Sequence, residues 1–144
     1  MIDVDQTVIQ RIIQHEGQIP YAYQDSNGFW TIGVGRLIDH REGGHLSEDE
    51  MHYLLMNDLG NICQSLRPYE WFTKQDVVRK GVLIELCFNM GLPHLLEFHN
   101  MLAAFQDEDY EKAEQELIDS LWAQQVSAER SDDLCYRILH GSYK

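Results

Sequence analysis

A chain of 144 residues that is 44% hydrophobic and 24% charged has the balance of one soluble domain, long enough to bury roughly 68–70% of its unfolded surface without a disulfide or metal. A disordered tail, a collagen-like fibre and a disulfide scaffold are excluded, and no apolar run approaches the ~20 residues of a membrane span. With 24 acidic against 11 basic residues the formal charge is −13, spread over both halves, so no Lys/Arg stripe is present to neutralise phosphate and nucleic acid is not an expected partner.

The first five residues, Met1 to Asp5, are acidic and lack the basic-then-apolar layout of a signal peptide, so the chain is expected to be made in, and first to stay in, the cytoplasm. Val4, Val8, Ile9, Ile12 and Ile13 recur at helical spacing behind two candidate caps, Asp3 and Asp5. Gly17 should end that helix in a left-handed turn. From Tyr21 to Val34 aromatic and β-branched residues flank Asp25-Ser26-Asn27-Gly28, and Asn-Gly between two such runs predicts a hairpin. A polar Gly/His loop, Asp39 to His45, leads to Ser47, which forms a capping box with Glu50. Met51, Leu54, Leu55, Leu59, Ile62 and Leu66 then mark a long amphipathic helix ended by Pro68. Thr73 is expected to open the next, whose residues Val77, Val78, Val82 to Ile84 and Leu86 to Phe88 are apolar nearly all round, the mark of a core helix. Gly91 and Pro93 stop it, and shorter helices follow at about 94–105, 109–124 and 130–139. The fold class is α+β, one early hairpin and then helices. Cys63, Cys87 and Cys135 are odd in number and far apart, and read as reduced thiols.

Chemistry concentrates in the first third. Glu16 falls in the last turn of the first helix, where the negative end of the macrodipole favours a protonated carboxyl, the state from which a general acid starts. Asp25 lies at the hairpin bend. With Asn27-Gly28 as a two-residue turn, Asp25 would pair with Trp30 and stand near Thr31, while Gly33 and Gly35 leave backbone open to a ligand. Two acids in different settings, with a hydroxyl beside the second, suit glycoside cleavage. Taken singly, each has a blander reading: a Glu in a last turn is usually solvated, and an Asp before Asn-Gly usually serves the turn. Gly33-x-Gly35 is no dinucleotide fingerprint, because Ile38 stands where the third glycine is required and no βαβ unit surrounds it. His40, Glu42, His45, Asp49 and His52 match no metal-ligand spacing, so no metal is expected. The acidic run from Glu108 to Glu116 reads as a solvated helix face.

Taken together, His15-Glu16-Gly17, Tyr23-Gln24-Asp25 with Gly28, and Thr31-Ile32-Gly33-Val34-Gly35 resemble the phage-type lysozymes, the endolysin muramidases of glycoside hydrolase family 24. Phe88-Asn89-Met90-Gly91, Phe98-His99-Asn100, and Ser120-Leu121-Trp122 with a later Arg130 are similar to family stretches in the same order. The resemblance implies one lysozyme-like domain over 1–144, with a small hairpin-bearing lobe (about 12–60) joined by a long helix to a helical lobe (about 61–144 plus the N-terminal helix) and the substrate cleft between them. It implies hydrolysis, without cofactor, of the β-1,4 bond between N-acetylmuramic acid and N-acetylglucosamine in peptidoglycan, with inversion. Glu16 is then the general acid, Asp25 and Thr31 hold or activate water, and Leu37, Phe88, Gly35, Asn89 and Met101 line the glycan cleft. The implied protein is a monomeric endolysin that reaches the wall from the host cytoplasm through a holin-type pore. Arg36 departs from the pattern: it stands where relatives carry His, and its charge does not titrate in the working range. The alternatives are a lytic transglycosylase, which needs the acid but no water-holding Asp, and a wall-binding protein without catalysis.

Overall fold

The computed structural model describes residues 5–38 and 44–144, apart from the side chain of Val8. Asp3 and Val4, and His40 and Glu42 of the Gly/His loop, lie outside the described residues. The architecture is α+β, in two compact units, residues 1–53 and 54–144.

In the first unit, α1 (Gln6–Glu16) opens on Asp5, whose carboxylate accepts from the Thr7 amide at 2.8 Å. It stops at Gly17, as the sequence predicts, but with φ 81° and ψ 168° rather than in a left-handed helical turn. That extended, positive-φ conformation is open to glycine alone, and it sends the chain directly into a strand. Strands β1 (Ile19–Gln24), β2 (Trp30–Gly33) and β3 (Arg36–Leu37) form an antiparallel sheet in the order β1-β2-β3. The expected two-residue turn is not made. Gln24, not Asp25, pairs with Trp30, and Tyr23 pairs with Thr31. The bend is a three-residue loop: Gly28 N–H donates to the Asp25 carbonyl at 3.0 Å, Asp25 N–H to the Phe29 carbonyl at 2.9 Å, and Gly28 alone has positive φ (83°). A type I′ turn needs positive φ at both central residues; here a type I turn followed by one such residue suffices.

Helix α2 (Glu48–Leu66) carries the predicted capping box: Glu50 N–H donates to Ser47 Oγ at 3.2 Å, and Ser47 N–H to Glu50 Oε1 at 3.4 Å. The second unit continues with α3 (Glu70–Thr73), α4 (Val77–Met90), α5 (Leu92–Leu95), α6 (His99–Gln106), α7 (Tyr110–Ile118), α8 (Leu121–Gln125) and α9 (Ala128–His140). Thr73 ends α3 instead of opening α4. The cap of α4 is Asp76, whose carboxylate accepts from the Arg79 amide and pairs with its guanidinium, both at 2.9 Å. The first two of the three helices predicted after α4 are each broken in two, at Phe98, which has non-helical ψ of 57°, and at Ser120, which caps α8 by accepting from the Ala123 amide. Leu66, Leu83, Leu86, Leu95, Phe105, Leu117, Leu134 and Ile138 are fully buried; such side chains contribute about 1.5–3 kcal/mol each. Helix α4 puts Val82, Leu83, Leu86 and Cys87 into this core, while Val77 at its start is exposed. All three cysteines are free, and burial pushes the Cys135 thiol up to about 11.

Buried polar groups are paired across the core, except Arg137 Nε, which has no hydrogen-bond partner among the described residues. Buried Gln75 donates to the carbonyls of Trp71 and Phe105, both at 2.9 Å, and accepts from the Tyr110 hydroxyl at 2.8 Å. Helices α4 and α9 are joined by two arginines, one from each. Arg79 donates to the carbonyls of Ile138 and Leu139 at 2.7 and 3.0 Å, covering the open end of α9. Buried Arg137 pairs with Glu85 at 2.7 Å and Asp133 at 3.1 Å. Each guanidinium lies against a glycine of the other segment: a Cβ on Gly81 would meet Arg137 Nη2 at 2.8 Å, and one on Gly141 would meet Arg79 Nη1 at 2.7 Å. Among the described residues no helix is long and apolar enough to cross a membrane.

Candidate active site

The observed register decides what the hairpin presents. Side chains alternate across a sheet, so pairing Tyr23 with Thr31 puts Tyr23 and Asp25 of one arm on the same face as Phe29 and Thr31 of the other. The register predicted from a two-residue turn would have put Asp25 and Thr31 on opposite faces. Leu37 of β3 pairs with Thr31 from the other side, so Tyr23, Thr31 and Leu37 form one row across the sheet. Thr31 is 4% exposed and its hydroxyl donates to the Phe29 carbonyl at 3.1 Å, which leaves the oxygen's lone pairs to accept.

Asp25 uses one carboxylate oxygen to build the loop. Oδ1 accepts from the amides of Asn27 and Phe29, each at 2.9 Å, and Oδ2 accepts from none of the described residues. The turn reading of this residue is thus met by Oδ1, and Oδ2 is left open.

Glu16, the last residue of α1, is exposed, and its carboxyl accepts no hydrogen bond from the described residues. It lies against the β2–β3 turn: a Cβ built on Gly35 would stand 2.6 Å from Glu16 Oε2 and 3.0 Å from Cδ. Gly35 has φ 64°, a conformation that costs other residues roughly 1–2 kcal/mol. Gly33, at φ 69°, has open space where a Cβ would be.

Arg36, next in sequence, points to α2. Its Nη2 donates to the His45 carbonyl at 2.7 Å and meets Glu50 Oε1 and Oε2 at 2.9 and 2.8 Å. The Arg36 hydrogen bond, helped by those from Ser47, holds the Glu50 carboxyl below the usual range. Neither the pairing nor β3 was legible in the sequence; the cues on the page were the unusual Arg36 and a Glu50 already engaged by its cap.

The remaining predicted residues belong to the second unit. Phe88 is half-exposed and borders a pocket of about 380 Å³ with Asp58, Asn61 and Ile62. Asn89 Oδ1 accepts from the Trp122 indole N–H at 2.7 Å. Met101 is 1% exposed, at the floor of a cavity of about 430 Å³ rimmed by His94, His99, Glu97 and Glu116. Among the described residues no three His, Cys, Asp or Glu side chains converge on a cation position.

A small sheet thus carries an acid and a hydroxyl on one face, with a second carboxyl at the end of the preceding helix. The phage lysozyme family matches residues 13–137, and the chain belongs to that family. It is 23% identical over 138 residues to "Probable T4-type lysozyme 1" of Dictyostelium discoideum, covering 77% of this chain and 81% of the relative. It is 24% identical over 152 residues to the pre-baseplate central spike protein Gp5 of Enterobacteria phage T4, covering 87% of this chain but only 26% of that longer protein. Membership makes the chain a lysozyme-like hydrolase of peptidoglycan.

Proposed function

We propose that the chain cleaves the β-1,4 bond between N-acetylmuramic acid and N-acetylglucosamine, with Glu16 as general acid and Asp25, aided by Thr31, holding the attacking water. The observation that carries the reading is the division of labour on the hairpin: Asp25 spends Oδ1 on the loop and keeps Oδ2 open, on the face that bears the Thr31 hydroxyl. Glu16 gives its proton to the leaving oxygen. Asp25 takes a proton from water as that water attacks the anomeric carbon, and the Thr31 oxygen accepts a hydrogen bond from the hydrogen that the water keeps. Attack from the face opposite the acid inverts the anomeric centre, as in enzymes whose carboxyls stand roughly 6.5–9.5 Å apart.

Leu37 and Gly35, beside Thr31 and Glu16, and Phe88, Asn89 and Met101 of the second unit are the proposed glycan contacts. Leu37 and Phe88 offer apolar surface to sugar faces. The proposed setting is that of a monomeric endolysin made in the host cytoplasm, passing to the wall at lysis through a holin-type pore.

Purified protein acting on bacterial walls, with Glu16→Gln beside it, tests the scheme. Wild type should release new reducing ends with the inverted anomer, and the variant should keep less than a tenth of that rate. A 1,6-anhydro product would make the enzyme a transglycosylase, and full activity of Glu16→Gln would remove Glu16 from the chemistry.

A further inference from the structure

We infer that Arg36, anchored by Glu50, is a positioning residue for Glu16; the inference rests on the reading of Glu16 as the general acid. The carboxyl of Glu16 is seated on the backbone at Gly35, with Oε2, Cδ and Cγ all within 3.3 Å of where a Cβ would be. One wall of that seat is therefore only as fixed as the β2–β3 turn. The turn has little stiffness of its own. Gly33 and Gly35 are both at positive φ, and β3 is a two-residue edge strand, paired through Thr31 with Leu37 and Ile32 with Arg36. Ile38 N–H adds one bond to the Trp30 carbonyl at 2.9 Å. Catalytic groups need placing to within about 0.5 Å, which so short a ladder beside two glycines does not secure.

Arg36 supplies the missing constraint. Its guanidinium is held at 2.7 Å by the His45 carbonyl and at 2.8–2.9 Å by both Glu50 oxygens. Glu50 is itself fixed to the first turn of α2, with Oε1 accepting from Ser47 Oγ at 3.0 Å and its N–H donating to that same oxygen at 3.2 Å. A continuous line of contacts runs from α2 through Glu50, Arg36 and Gly35 to Glu16. Arg36 and Glu50 side chains are 44% and 38% exposed, and ion pairs so exposed add little to global stability. The pair is thus poorly placed to hold the fold together and well placed to fix one turn. Because arginine does not titrate in the working range, the clamp stays closed wherever Glu50 is ionised.

The test compares wild type, Arg36→Met, Arg36→Lys, Glu50→Gln and the Arg36→Met/Glu50→Gln double variant. Each is assayed for kcat and KM on soluble glycan strands, for Tm, and for the amide resonance of Gly35 with and without Glu16→Gln. Arg36→Met should lower kcat about tenfold, since misplacement of a catalytic group by an ångström costs up to a hundredfold. KM should stay within about twofold and Tm within about 3 °C. Arg36→Lys should recover part of the loss. The double variant should be no slower than Arg36→Met, because both changes open one clamp. Glu16→Gln should shift the Gly35 amide in wild type and shift it less in the Arg36→Met background. Unchanged kcat in Arg36→Met, additive losses in the double variant, or a kcat loss that merely follows Tm would overturn the inference. If Glu16→Gln itself stays active, the reading of Glu16 falls separately and the Gly35 signal decides the clamp: a diminished response upholds it, an unchanged one overturns it.

Discussion

Glu16 fills the space that a side chain at position 35 would need, with its Oε2 atom 2.6 Å from where the Cβ would stand. The glycine is thus required twice, by a φ of 64° and by the carboxyl against it. Gly35→Ala should cut wall hydrolysis by more than tenfold. Gly33→Ala is the matched control: it carries the same backbone penalty of roughly 1–2 kcal/mol but meets nothing within 4 Å. Equal activity losses in the two variants, at equal cost in Tm, would show that backbone strain alone is responsible.

Asp25 commits Oδ1 to the loop and leaves Oδ2 open, so its proposed part in the chemistry can be separated from its part in folding. Asp25→Asn keeps an acceptor for the Asn27 and Phe29 amides and should fold with near-native stability while losing most activity. Asp25→Ala removes both bonds, at about 0.5–1.5 kcal/mol each, and should lose activity and melt earlier. Thermal melts run beside turnover assays distinguish the two, and an active, stable Asp25→Asn would exclude the carboxylate from water activation.

Asp76 gives the second unit a defined acid response. Burial pushes its carboxyl up, but the Arg79 amide and guanidinium outweigh that and hold it below the usual carboxylate range. A depressed folded-state value means that the stabilisation is fully present above the unfolded value, about 3.9, and is lost as pH falls through the folded one. Asp76→Asn, which keeps a capping oxygen, should therefore lower Tm at pH 7. The gap from wild type should narrow below about pH 4. A gap that is constant with pH would assign the effect to the cap alone.

A formal charge of −13 sets the protein against a wall that is itself largely anionic. Long-range forces then oppose encounter, and salt at 0.1 M shortens their reach to about 10 Å. Wall clearance should rise between very low and moderate NaCl, whereas cleavage of a neutral soluble chitooligosaccharide should change little. A steady fall in wall clearance from the lowest salt would show that a local basic surface governs approach.

What the sequence disclosed follows from the range of the forces involved. Gly17, the Ser47–Glu50 box and the buried face of α4 act within one or two turns, and each was readable from spacing; Asp5 was one of two candidate caps, and of the apolar face expected on α2, Leu66 is buried while Met51, Leu54 and Leu55 are exposed. Asn27-Gly28 was misread because the dipeptide suits two kinds of turn, and the choice between them lies in the Asp25 carboxylate gathering two amides. Thr73 and Asp76 are both capping types, and what selects Asp76 is Arg79, three residues on, whose amide and guanidinium its carboxylate takes. A strand of two residues, β3, has no room to show alternation. For the site, Glu16, Asp25 and Thr31 stood out by type and order, but no spacing could show that Glu16 lies on Gly35 or that Arg36 reaches Glu50. Those contacts join segments through space.

The crossed arginines of α4 and α9 bear on how this protein can be altered. A glycine inside a helix ordinarily invites replacement by alanine, worth up to about 1 kcal/mol, and Gly81 lies in the middle of α4. Here the hydrogen that alanine would replace faces Arg137, whose guanidinium is already tied to Glu85 and Asp133. Gly141 bears the same relation to Arg79. Each glycine is therefore tied to a distant arginine: a side chain can enter at position 81 or 141 only where the guanidinium opposite gives way, and a stabilising recipe applied to the glycine by itself is expected to fail at both.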